Sequence, residues 1–300
     1  MAKMKEENKT LLKNNFLELL KERWGQNNFV CVGLDSQYEK IPEVVRKGLS
    51  VEKAIFKFNQ EIIDATNDLV CAYKPQYAFY GALGESGITA LRETVAYIHE
   101  KYPDIPVILD GKRSDIGNTT EQYAIEVFDI YGVDGLTVNP YLGFDGVEPF
   151  LKRRDKGIIV LCRTSNPGAK EFQDLMVSHP NLGRVPLYQA VAYNVVKNWN
   201  ENGNCCLVVG ATYPEELAQV RRIAPDFTFL IPGIGKQGGD IEETVKNGRG
   251  RKNFGMIINS SRGIIFASSG KDFAKMARKE TLELNNKIIA CLKRDGGYKL

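Results

Sequence analysis

Short apolar runs recur along the chain, at Phe29–Leu34, Leu69–Tyr73, Val107–Leu109, Gly135–Val138, Gly157–Cys162, Cys205–Val209, Phe227–Ile231 and Met256–Ile258. Each is bounded by Gly, Pro, Asn or Asp, the signature of strands buried on both faces of a parallel sheet. Between most of them the apolar positions change to a helical period. Ile55, Phe58, Ile62 and Ala65 make one stripe, Val191, Val195 and Val196 contribute to another, and Leu217 and Val220 continue a third after Pro214. Eight strands alternating with helices point to an α/β chain of the (β/α)8 TIM-barrel class rather than an open doubly wound sheet. An extra N-terminal helix is expected over Leu11–Arg23, and a last helix over Lys271–Lys293. With no linker, low-complexity tract or internal repeat, the simplest organisation is one domain over residues 1–300. It has a helical extension at 1–28, a barrel core at 29–264 and a C-terminal helix at 265–300.

Composition narrows the class of function. The 300 residues are 43% hydrophobic and 26% charged, ordinary for a globular chain. A net charge of +3 makes no case for nucleic acid or a membrane surface as partner. No apolar run approaches the roughly eighteen residues of a membrane span. The lysine-rich stretch Met1–Lys13 has no apolar core behind it and does not read as a secretory signal. Cys31, Cys71, Cys162, Cys205, Cys206 and Cys291 form no C-x-x-C pair and mostly lie in apolar runs, so they read as buried thiols of a cytoplasmic protein. The two histidines, His99 and His179, have no metal-site partner at useful spacing and read as structural or exposed.

The chemistry is expected at the carboxyl ends of the strands, where barrels of this kind place their active sites. Those ends read Asp35-Ser36, Lys74-Pro75-Gln76, Asp110-Gly-Lys112, Asn139-Pro140, Arg163-Thr-Ser165-Asn166, Thr212, Pro232-Gly-Ile-Gly-Lys-Gln237-Gly-Gly-Asp240 and Asn259-Ser-Ser-Arg262-Gly263. The third is the most informative. An apolar, β-branched run breaks into Asp110, Lys112 and Asp115, and Asp110 and Lys112 share a face if strand geometry lasts to its end. A lysine held protonated between acids at the mouth of a buried strand can serve as a proton donor. The last two ends suit a phosphate. The glycines of 233–239 let backbone N–H groups approach an anion, and Arg262 offers a planar, permanently charged fork. Loops after strands seven and eight are the usual phosphate site of barrel enzymes. The Gly-rich loop lacks the downstream ribose acid of the dinucleotide pattern.

With these residues in view, the chain resembles the orotidine 5′-phosphate decarboxylase family from about Phe29 to Ile264. The resemblance rests on Gly33-Leu-Asp35, Lys74-Pro75, Asp110-Gly-Lys112-Arg-Ser-Asp115-Ile-Gly-Asn-Thr119, the Pro232–Asp240 loop and Ser261-Arg262-Gly-Ile264. The chain length and the segment Arg163–Ala169 are similar to the longer bacterial branch. The resemblance implies a homodimeric barrel with shared active sites that converts orotidine 5′-monophosphate to uridine 5′-monophosphate and carbon dioxide, with no cofactor and no metal. It implies that Lys112 protonates C6, that Asp110 lies beside the substrate carboxylate, and that Lys74 and Asp35 hold ribose hydroxyls and orient the charges. Asp115, with Ile116 and Thr119, would enter the neighbouring subunit's site. Ser165 would face the pyrimidine. Gln237 and Arg262 would grip the phosphate, and Pro232 and Gly263 would complete the substrate-binding set.

Two departures accompany the match. Ser261 stands where many relatives have glycine, and the segment Asn166–Pro186 is long. Two other functions compete with this one. A magnesium-dependent sugar-phosphate decarboxylase of the same barrel type would need an acid at the end of strand two, where this chain has Lys74. A nucleotide-binding barrel without catalysis would be expected to lack part of the Lys/Asp array, yet Lys74, Asp110, Lys112 and Asp115 are all present.

Overall fold

The computed structural model describes residues 15–234, 238–251 and 254–294. Among these residues the strands are β1 (Val30–Leu34), β2 (Val70–Pro75), β3 (Ile108–Arg113), β4 (Gly135–Val138), β5 (Gly157–Arg163), β6 (Met176–His179), β7 (Gly183–Pro186), β8 (Cys205–Val209), β9 (Phe229–Pro232) and β10 (Met256–Ser260). The longer helices are α1 (Phe16–Gly25), α2 (Val51–Thr66), α3 (Gly84–Lys101), α4 (Gly117–Ala124), α5 (Leu187–Asn194), α6 (Pro214–Ile223), α7 (Ile241–Gly248) and α8 (Phe273–Arg294). Eight strands form one sheet in the order β2-β1-β10-β9-β8-β5-β4-β3. Its two ends are joined by parallel bridges, Tyr73 to Val107 and Gln76 to Asp110. The sheet therefore closes on itself as a (β/α)8 barrel, in which no long edge is left unpaired. Every residue of β1, β2, β8 and β10 is buried, which is why these strands read as continuous apolar runs and not as alternating ones.

Contacts group the described residues into two compact units that alternate along the chain. The first comprises residues 15–111, 124–136 and 260–286. Here α1 starts at Asn15, whose side chain accepts the Leu17 N–H at 3.0 Å. Buried Arg23 on α1 donates through Nε to the Val70 carbonyl at 2.8 Å and through Nη1 to Asp104 at 2.8 Å. Asn285 of α8 accepts the Phe29 N–H at 3.1 Å and donates to the Asn27 carbonyl at 2.8 Å, so the last helix fixes the entry to β1. On α2, Ile55, Phe58 and Ile62 of the expected stripe are fully buried, each worth about 1.5–3 kcal/mol of apolar burial, while Ala65 is only half-buried. In β1 and β2, Gly33 pairs with Lys74 and Leu34 with Pro75, which brings both carboxyl ends to one level.

The second unit comprises residues 112–123, 137–234, 238–251, 254–259 and 287–294. Its strands β5, β8, β9 and β10 pair in parallel, with Asn259 opposite Pro232 at the carboxyl ends of the last two. Buried Arg221 on α6 donates to the carbonyls of Ala224, Phe227, Gly248 and Gly255, and its guanidinium lies 3.5 Å from the centroid of Phe229. One cation thus satisfies the carbonyls of turns that have no ladder partner.

Several elements begin or end at other residues than expected. The described part of the N-terminal helix is Phe16–Gly25, and Leu11–Asn14 fall outside the described residues. Strand three runs on to Arg113 instead of ending at Leu109, so Asp110 and Lys112 lie within it. The long segment after β5 contains an antiparallel hairpin, β6 with β7, that the apolar pattern did not signal.

Candidate active site

In the first unit, the ends of β1, β2 and β3 bring Asp35, Lys74 and Asp110 together. Lys74 Nζ lies 3.0 Å from Asp110 Oδ2, with the two side chains 4% and 14% exposed. Burial alone would pull the lysine down, but Asp110 and then Asp35 more than offset it, and Lys74 is held above its ordinary value as a cation. Beneath them Cys31 is pushed up to about 12 by burial, with Lys74 opposing and Asp35 and Asp110 reinforcing, so its thiol stays neutral. Asp35 Oδ1 is buried and has no hydrogen-bond partner among the described residues, leaving an acceptor for a ligand hydroxyl.

A polar network that the sequence did not reveal holds the chain on either side of Asp35. Ser36 Oγ donates to Asn59 Oδ1 at 2.6 Å. Asn59 Nδ2 in turn donates to Tyr80 OH and Thr94 Oγ1, both at 3.0 Å, and Tyr80 OH donates to the Leu34 carbonyl at 2.9 Å. All four side chains are buried. A fully satisfied buried network of this kind specifies one geometry, because any partial version leaves costly unpaired groups. The sequence signal was an asparagine interrupting the apolar stripe of α2.

Along β3, two residues beyond Asp110, the expected strand geometry gives way. Lys112 has φ +46°, so simple alternation of faces does not apply to it. The following turn is short-range. Asp115 Oδ1 accepts the Ile116 N–H at 2.7 Å, the Asp115 N–H donates to Thr120 Oγ1 at 3.1 Å, and Thr120 Oγ1 donates back to the Asp115 carbonyl at 2.6 Å. Ile116 is 60% exposed, and Lys112 and Thr119 are exposed as well.

Ser165 is half-buried after β5. Its carbonyl accepts from Thr212 Oγ1 at 3.3 Å, and a Cβ on Gly210 would come within 2.8 Å of the Ser165 Cβ, so only glycine allows this approach. Arg163, 1% exposed, anchors the same loop: it pairs with Asp174 at 2.9 Å, donates to the Thr164 carbonyl at 2.7 Å and lies 4.1 Å from the centroid of Tyr213. Arg163 is thus a positioning group here and not an exposed ligand.

For the phosphate candidates, Pro232 ends β9 and its carbonyl accepts the Ala211 N–H at 2.8 Å. The Gly-rich loop is pinned where the Gly239 N–H meets the Gly233 carbonyl at 3.0 Å. Gln237 lies outside the described residues. Arg262 is exposed at the start of a helical turn, Arg262–Ile265, which also carries Gly263. The departure at Ser261 has a structural counterpart: a Cβ on Gly33 would lie 1.8 Å from Ser261 Oγ, so the hydroxyl fills the space that Gly33 leaves. Three other strand-end residues are caps. Gln76 accepts from Ala78 N–H, Asn139 from Tyr141 N–H and Asp240 from Glu243 N–H.

The profile of the Orotidine 5′-phosphate decarboxylase / HUMPS family matches residues 28–277. The chain is 50% identical over 275 residues to orotidine 5′-phosphate decarboxylase of Cellvibrio japonicus (strain Ueda107), covering 91% of this chain and 98% of that protein. It is likewise 50% identical over 275 residues to the protein of the same name from Janthinobacterium sp. (strain Marseille), covering 91% and 97%. Among solved structures, OMP decarboxylase of Leishmania donovani superposes with a TM-score of 0.77 at 35% identity, covering 92% of this chain and 99% of that one. UMP synthase of the same organism gives a TM-score of 0.80 at 37% identity, covering 92% of this chain and 57% of that longer one.

Proposed function

The chain belongs to the orotidine 5′-phosphate decarboxylase / HUMPS family, and on that premise we propose how its own residues carry the reaction. It is an orotidine 5′-phosphate decarboxylase of pyrimidine biosynthesis, a cofactor-independent carboxy-lyase that forms uridine 5′-monophosphate and carbon dioxide. The bond from C6 to the carboxylate breaks, its electron pair stays on C6, and the Lys112 ammonium delivers a proton there. Asp110 lies beside the departing carboxylate. Lys74 and Asp35 hold the ribose hydroxyls, Ser165 faces the pyrimidine, and Gln237 and Arg262, with Pro232 and Gly263, hold the phosphate.

The observation that carries this reading is the buried Lys74–Asp110 pair with Asp35 beside it. The developing carbanion has no obvious electron sink. The protein must therefore favour that charge more than it favours the ground-state carboxylate. Charges already fixed by folding do this without reorganising when the electron pair moves. The same pair weighs against a magnesium-dependent sugar-phosphate lyase, since a lysine held as a cation stands where that chemistry needs an acid.

The proposal extends to a homodimer in which Asp115, Ile116 and Thr119 serve the neighbouring subunit. Its support is a set of exposed apolar side chains around that turn: Ile116 at 60%, Tyr141 at 82%, Leu142 at 45% and Phe144 at 43%. It also places the enzyme in the cytoplasm, consistent with six unpaired, buried cysteines. Among the described residues no helix is long and apolar enough to cross a membrane.

The direct test mixes purified protein with orotidine 5′-monophosphate and follows the loss of its ultraviolet band. Wild type is expected to turn over, and Lys112→Ala to lose about 10²–10⁴-fold or more while remaining folded. Near-normal turnover by Lys112→Ala would remove Lys112 from the role of proton donor.

A further inference from the structure

Lys112 and Asn27 are the non-glycine residues of the described chain with positive φ, at +46° and +67°. Asparagine tolerates that region because its short polar side chain can bond locally. Lysine has no such reason. A residue held there is strained, and it persists only where its surroundings over-determine the conformation. Thr137 of β4 meets its backbone: the Lys112 N–H donates to Thr137 Oγ1 at 3.0 Å. One residue further on, the Arg113 carbonyl accepts the Asn139 N–H at 3.0 Å. Strand β4 therefore grips the chain on both sides of the peptide that follows Lys112, once through a side chain and once through the backbone.

The acceptor is a side-chain hydroxyl and not a backbone carbonyl. Thr137 is 1% exposed. Its β-branched side chain is stiff at χ1, so Oγ1 is a fixed acceptor and not a swinging one. The direction of a side chain follows from its own φ and ψ. If Lys112 relaxed to an extended φ, its Cβ would turn and its ammonium would leave the position that the left-handed backbone gives it.

We propose that Thr137 is a positioning residue: its hydroxyl oxygen holds the Lys112 amide in the left-handed conformation and so aims the lysine at the reacting carbon. The inference rests on the reading of Lys112 as proton donor. It adds a requirement for the oxygen at residue 137 that this reading does not contain. Valine has nearly the shape of threonine without the acceptor. In Thr137→Val the lost hydrogen bond is partly offset by relief of the strained backbone, so stability should change little while the aim of the lysine is lost.

The test uses the full-length enzyme and four proteins: wild type, Thr137→Val, Thr137→Ser and Lys112→Ala. Thr137→Val is expected to lower kcat for orotidine 5′-monophosphate about tenfold or more, a barrier change of about 1.4 kcal/mol at the lower end. KM and the Kd for uridine 5′-monophosphate should stay within about twofold, because phosphate and ribose contacts are made elsewhere. Thr137→Ser, which keeps the oxygen, should recover most of kcat. Adding Thr137→Val to Lys112→Ala should cost nothing further, since the two changes act through one group. A Thr137→Val enzyme with kcat near wild type, while Lys112→Ala is inactive, overturns the inference alone. So does an equal loss in the serine variant, or a parallel loss of product affinity. A Lys112→Ala enzyme with full turnover overturns both this inference and the reading beneath it.

Discussion

Lys74 and Asp110 are 4% and 14% exposed and meet at 3.0 Å, and the chain beside them is tied by the Ser36–Asn59–Tyr80 network. The turn after β3 is built differently. Among the described residues Asp115 bonds within its own turn, to Ile116 and Thr120, and Ile116 is 60% exposed. The first arrangement is set by folding: its charges cannot move without uncovering a buried ion. The second keeps its shape locally and presents an apolar side chain to water, as an unfinished surface does. Removing a charge from the array should therefore damage fold and chemistry together. Removing one from the turn should damage chemistry alone.

The largest expected break in that comparison is Asp110→Ala. It strands Lys74 as a buried, under-compensated cation, and losing one member of a buried pair costs about 3–5 kcal/mol of stability. The pH dependence carries the sign. In wild type Lys74 is raised above its ordinary value, so its contribution is fully present below the unfolded lysine pKa and is lost as pH rises through the higher folded one. In Asp110→Ala burial dominates and the lysine falls below its unfolded value, so stability should increase with pH between neutrality and about 10. Denaturant titrations of both proteins from pH 7 to 10 check this. A variant whose stability stays as level as that of wild type over that range would mean that Asp110 is not the main support of the Lys74 charge.

A smaller effect, confined to substrate binding and chemistry, is expected at Arg262, which is exposed at its helical turn. Arg262→Ala should lower kcat/KM for orotidine 5′-monophosphate by about 1.5–3 kcal/mol, the range for a hydrogen bond to a charged group. It should leave the melting temperature in place and affect the phosphate-free nucleoside far less. Added phosphite should stimulate the nucleoside reaction in wild type and much less in the variant. Equal losses on both substrates would make Arg262 structural.

The smallest concerns Cys31, beneath the array. Burial pushes its thiol up to about 12, so iodoacetamide at pH 8.5 should leave it unlabelled in the native protein and label it after denaturation. Fast labelling of native protein, read by mass spectrometry, would show that the floor of the array is open.

The alternation of strand and helix was legible because β1, β2, β8 and β10 are buried throughout and leave unbroken apolar runs. The strand-end acids and lysines were legible because a barrel gives each strand end a position in advance. What stayed hidden were contacts between residues distant in sequence. The bond from Asn59 to Thr94 spans 35 residues, and that from Lys112 to Thr137 spans 25. Nothing local marks Thr137 as an acceptor, since a threonine in a strand is ordinary. The left-handed φ of Lys112 was hidden for the same reason, because it is imposed by a neighbouring strand and not by its own residue type. The β6–β7 hairpin was missed because none of its residues is buried and its strands are four residues each.

The comparison is tested most directly by mixing two inactive enzymes. Lys112→Ala lacks the proposed proton donor and keeps the turn, while Asp115→Ala keeps that lysine and lacks the acid of the turn. Each should fold and be inactive alone. If the turn serves a neighbouring subunit, subunit exchange creates heterodimers in which one site holds both intact residues. Activity should then rise with mixing time toward about a quarter of the wild-type rate per total subunit at equal concentrations, one sound site in each heterodimer when half the dimers are mixed. Exchange demonstrated by mass spectrometry with no recovery of activity would contradict a site shared in this way.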